Sequence, residues 1–130
     1  MATTYVAFVN ALEALSLTGV KKSYTHGPPA SINVLPASWV QFPSGEEPMV
    51  ARSVNWPLMR AELVVAYEAV VQGRQPDNFD GSVAMMDTVV AAIRAMSLGR
   101  RQPTFAIRVG IVSVGDNDYW AVITTVESEG

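Results

Sequence analysis

The run Trp56–Val71, WPLMRAELVVAYEAVV, constrains this chain more than any other stretch. Its apolar residues recur with a period of two, the signature of a strand. One face takes Met59, Ala61, Leu63, Val65, Tyr67, Ala69 and Val71, all apolar or aromatic. The other takes Leu58, Arg60, Glu62, Val64, Ala66, Glu68 and Val70, three charges among aliphatics, and is expected to be only partly buried. At about 3.3 Å per residue the run would reach roughly 50 Å, far beyond a usual strand of about 5–6 residues. Either a bulge breaks it, or its first half projects as one arm of a hairpin. Projection is the expectation adopted, with the strand around Trp39 as the other arm and 43–55 as the connecting loop. A hydrophobic, projecting hairpin is a natural docking element for a neighbouring subunit.

The segments before this run are short. Tyr5, Phe8, Val9, Leu12 and Leu15 form an amphipathic stripe, so a helix is predicted to Leu17, capped by Thr3 or Thr4 and stopped by Gly19. Val20–His26 reads as a short, half-exposed strand, broken by His-Gly-Pro-Pro at 26–29, with a brief pairing at Ile32–Leu35. PASWVQFP at 36–43 is a proline-bounded strand, placed near an edge because proline cannot donate to a ladder. The loop 43–55 is long for a connection inside a domain, and such loops are usually functional or disordered.

After the run come a turn at 72–76 and a helix capped by Asp77, with the stripe Phe79, Val83, Met86, Val90 and Ile93, ending at Gly99. A C-terminal hairpin spans 104–126, turning at Gly115–Asp118, and the last residues, ESEG, read as a frayed tail. The expected fold is α+β over a single domain, 1–130. One mixed, mostly antiparallel sheet carries two packed helices and a projecting hairpin, and Trp56–Val114 is a candidate right-handed crossover.

Charged residues are only 16% of the chain, below the average of about 25%. So few charges point to a surface partly covered by copies of itself or by partners. The net charge of −3 and the lack of a basic stripe argue against gripping nucleic acid. No cysteine is present, which excludes disulfides and thiol chemistry. No signal peptide or membrane span is read in the sequence.

No catalytic motif stands out, so no enzyme, cofactor or metal is expected. His26, the single histidine, has no evident carboxylate and nucleophile to work with. Asp77/Asp80 and Asp116/Asp118 are explained by capping and turn formation before cation binding. Trp39 and Trp56 flank the long loop, and tryptophan is enriched at interface hot spots. Both are candidate subunit contacts, as are Arg60 and Glu62 on the mixed strand face.

In its order of elements (Tyr5–Leu17 helix, PASWVQFP strand at 36–43, loop, strand 56–71, helix Phe79–Met96, hairpin 104–126) nearly the whole chain resembles the tail terminators of lambda-type long-tailed phages. No diagnostic motif is shared, so no residue role is carried over. The resemblance implies a structural virion protein of the tail, assembled in the host cytoplasm. It would form a homohexameric ring that caps the tail tube protein and meets the head connector or neck protein, with DNA passing through unbound and no membrane involved. Another head–tail joining or minor tail protein is the near alternative. A small-molecule-binding or enzymatic α+β domain, with a concave pocket and convergent polar groups, is the distant one.

Overall fold

The structure, a computed structural model, describes residues 4–47, 58–70, 75–96 and 103–129. In chain order they form α1 (Tyr5–Glu13), β1 (Lys22–Ser23), β2 (Ala37–Glu46), β3 (Leu58–Ala69), α2 (Gln75–Arg94), β4 (Thr104–Val114) and β5 (Asn117–Glu129). The strands make one mixed sheet in the order β1-β2-β3-β5-β4. Only β1 and β2 pair in parallel; every other neighbouring pair is antiparallel. The class is α+β, with both helices on one face of the sheet.

β3 is the central strand, and its odd positions do what the period-two pattern predicts. Met59, Ala61, Leu63 and Val65 are buried under the helices, against Phe8 and Leu12 of α1 and Met85, Val89 and Ile93 of α2. A bulge between Ala66 and Glu68 then shifts the register. Past it Ala69 packs on the opposite face, contrary to strict alternation. From Leu58 onward β3 is paired with β5 on one side and β2 on the other, so the described parts of both hairpin arms lie in the sheet. The tip of that hairpin, 48–57, lies outside the described residues.

The opposite sheet face is buried at one end, around Trp39, Val64, Ala66, Tyr119 and Ala121. Its cover is the irregular segment after β1, through Tyr24, Ile32 and Leu35. This corrects two expectations. The strand at Val20–His26 shrinks to Lys22–Ser23, because the chain then leaves the sheet through positive φ at His26 (67°) and Gly27 (92°). Among the described residues Ile32–Leu35 pairs with no strand; Ile32 and Leu35 cap the second core instead, while Val34 is exposed.

Other boundaries move for local reasons. Thr4 caps α1, its Oγ1 accepting from the Ala7 N–H at 3.1 Å. The helix stops at Glu13 rather than Leu17, yet Leu17 stays buried because a turn closed by Val20 N–H to the Leu17 carbonyl brings it back. Gly19 makes that turn at φ 88°. β2 runs past Pro43 into the expected loop, over a bulge between Gln41 and Ser44 where Phe42 sits at φ 49°. Asp77 lies inside the first turn of α2 rather than capping it, where a negative charge suits the helix dipole. The tail does not fray before Glu129, since Leu58 pairs with Glu129 and Ser128 is buried.

α2 holds the largest departure. Its buried side chains are Asn78, Ser82, Met85, Val89 and Ile93, with Met96 buried just past its end; of the stripe read from sequence, Ile93 alone is among them. Small and satisfied polar groups let this side approach the sheet. Ser82 Oγ donates to the Asn78 carbonyl at 2.8 Å, and Asn78 Nδ2 donates to the Ala69 carbonyl at 3.3 Å. A Cβ on Gly81 would run into the Tyr67 ring. Phe79 is turned outward, edge-on to Trp120 at 6.1 Å between ring centres.

Among the described residues, the buried Thr124 hydroxyl on the helix face of β5 has no hydrogen-bond partner. Thr124→Val keeps the shape and removes that unpaired group, which costs on the order of 1 kcal/mol or more. The expected outcome in chemical denaturation is a gain of about 1 kcal/mol; a loss would show that the hydroxyl is satisfied in solution.

Candidate functional site

The four candidate contact residues fall in different settings. Trp39 is 2% exposed and belongs to the core between its own sheet and segment 24–35. That corrects its expected place at a subunit contact: a ring already enclosed has no surface to offer. Its indole Nε1 donates to Gln41 Oε1, and Gln41 Nε2 donates to Glu62 Oε1, both at 2.9 Å. Arg60 donates from Nε to Glu127 Oε1 at 2.8 Å and from Nη1 to Glu46 Oε1 at 3.2 Å. These bonds, the one to Glu127 foremost, hold its pKa above the ordinary value. Arg60 and Glu62 thus have partners within the chain, on a half-exposed polar stripe. Trp56 lies outside the described residues.

The surface features that stand out were not singled out in the sequence as contacts, and two of them, Phe79 and Val83, were expected on the buried stripe of the second helix. At the β2 edge Val6 and Phe42 are each 71% exposed. At the β4 edge Ile111 is 53% exposed, and Phe79 and Val83 of α2, 48% and 41%. These are opposite edges of the sheet, since β2 and β4 are separated by β3 and β5 and β1 covers only the Ala37–Ser38 end of β2. Val6 was legible only as the apolar residue that falls off the α1 stripe, and Phe42 only as the aromatic beside Pro43.

Beside the β2 edge, between α1 and the strand, lies an open cleft of about 460 Å3. Val6, Val9, Val40 and Pro43 make its apolar lining, with Asn10 and His26 at the rim. Tyr5 fixes the cleft's upper end. Its ring lies so close over Gly45 that a Cβ there would collide with it, and its hydroxyl donates to Glu47 Oε1 at 2.8 Å. That bond raises the Tyr5 pKa, because ionising the phenol loses a donor and sets two negative charges together. At the lower end the His26 main-chain N–H donates to Glu13 Oε2 at 2.9 Å.

Among the described residues no group of three or more His, Asp or Glu side chains could hold a metal. Asp77 and Asp80 lie exposed at the start of α2, and Asp118 accepts a bond from the Ser113 hydroxyl. No helix of the described residues is long and apolar enough to cross a membrane. The architecture defines an α+β protein with one mixed five-stranded sheet and helices on one face. Compared with known proteins, the chain matches no family model and no curated relative.

Proposed function

We propose that the chain is a structural virion protein, a tail terminator that assembles as a ring, caps the tail tube and joins it to the head connector. One observation supports self-assembly most directly: different apolar side chains lie exposed at the two opposite edges of the sheet. Two unlike patches on one chain suit head-to-tail contact between copies, which closes into a ring when the rotation allows. The order of elements contributes the tail role, through its resemblance to lambda-type terminators. The charge is compatible: six chains of −3 each make an acidic ring, which repels DNA and suits a conduit.

Native mass spectrometry is expected to give one closed oligomer, with hexamer the expected size. Tails made without this protein are expected to be overlong by electron microscopy. Normal tails lacking heads would make it a head–tail joining protein instead. A second reading, a small-molecule-binding domain, is favoured by the apolar cleft beside α1. It predicts a monomer at high concentration and no ring in the presence of tail tubes, an outcome that would overturn the first.

A further inference from the structure

We infer that the β4 edge of one copy seats against the α1–β2 cleft of the next, so that sheet and helix layer continue from chain to chain. This rests on the self-assembly proposed above and names the surfaces that meet.

The first support is α2, which carries two apolar stripes. One, from Ser82 through Met85, Val89 and Ile93, is spent on the chain's own core. The other, Phe79, Val83, Met86 and Val90, lies about 90° further round the helix at 3.6 residues per turn, and of these Met86 also packs against that core. Phe79 touches Trp120, whose ladder partner is Ile111, so this flank looks over β4. Its beginning is exposed, and beneath it the β4 row Ile107, Val109 and Ile111 is only partly covered. A second helix laid beyond α2 would close this gap.

α1 is the matching half. It buries Phe8 and Leu12 in its own core and turns Val6 and Val9 to the cleft above the β2 edge. That cleft runs along the β2 edge, lined by Val40 and Pro43 of the strand and bordered by His26 and Gly27. The strand directions agree. β2 is antiparallel to β3, β3 to β5 and β5 to β4, so β4 runs opposite to β2. Placing β4 beside the next copy's β2, with helix faces level, therefore gives an antiparallel neighbour.

Charge selects the same pairing. β4 has one charged residue, Arg108, and among the described residues no carboxylate forms a salt bridge with it. Past the outer end of β2 stands Glu47, whose bond from the neutral Tyr5 hydroxyl leaves its charge uncompensated, while Glu46 is already paired with Arg60. Two β4 edges set against each other would instead bring the cationic strands together and leave the cleft empty. β4 also has no proline or bulge along its ladder, the devices that keep an edge from pairing, whereas β2 carries both at Phe42–Pro43. The seam is accordingly side-chain contact over the cleft, with any main-chain pairing confined to the free stretches of β2 either side of its bulge.

The chain has no cysteine, so a placed pair reports contacts without background. Ser44 on β2 and Ala106 on β4 are exposed and lie on the same sheet face. The double variant S44C/A106C, treated with a short bis-maleimide, is expected to give a ladder of linked chains ending at the ring size. Each single variant alone is expected to give none. A106C chains linking to one another would overturn the seam in favour of paired β4 edges. Closed oligomers by native mass spectrometry without any ladder would overturn the seam and leave the ring reading standing. A chain that is monomeric throughout would overturn both.

Discussion

Trp39→Ala is expected to lower the unfolding free energy of the dissociated chain by about 3–5 kcal/mol, the range for a fully buried large aromatic. The indole is enclosed between β2 and the segment through Tyr24, Ile32 and Leu35, with Val64 and Ile123 beside it on the sheet. Val64 and Ile123 are held by strand pairing, so only the covering segment can relax toward the space and much of the cavity persists. The change also frees Gln41 Oε1 from its indole donor, but Gln41 keeps its bond to Glu62. The measurement is denaturant unfolding at a concentration where the chain is monomeric. A loss below about 1 kcal/mol, together with failed assembly, would return Trp39 to a subunit contact and contradict its burial.

The same residue marks the limit of what the chain reveals before folding. Trp39 beside a long loop looks like an anchor for a partner, because nothing in the irregular 24–35 stretch announces that it folds over the second sheet face. That cover has no period; it arises from positive φ at His26 and Gly27 redirecting the chain. β3 was legible because alternation along one strand is a local property, and Met59 to Val65 obey it. The excess length of the run allowed for a bulge, but the places of the two bulges, at Tyr67 and at Phe42–Pro43, were not legible, since a bulge exists only relative to a partner's register. The exposed residues at the β2 and β4 edges were hidden for a related reason. Whether Val6 or Ile111 is covered depends on strand order, and a sequence of hairpins leaves open that β5 inserts between β3 and β4.

The α2 helix turns that distinction into the second large effect, a contrast between two residues six positions apart. Met85→Ala is expected to cost about 2–5 kcal/mol in the monomeric chain, and Phe79→Ala less than about 1 kcal/mol. The stripe read from sequence implies the reverse, since it contains Phe79 and omits Met85. What decides is the distance of closest approach. Asn78, Ser82 and Gly81 are small enough to bring the first half of α2 onto β3 and β5, which rolls Phe79 outward and Met85 inward. Phe79 keeps one edge-on ring contact with Trp120, a geometry worth about 0.5–1.5 kcal/mol at most, and its remaining surface faces solvent in the single chain. Assembly should rank the two the other way: Phe79→Ala is expected to weaken the oligomer in native mass spectrometry with little change in the melting temperature of the monomeric chain, while Met85→Ala lowers the melting temperature whatever the oligomeric state. Equal losses of stability from both would mean that the two stripes share one core, and that the flank above β4 is not held in reserve for another chain.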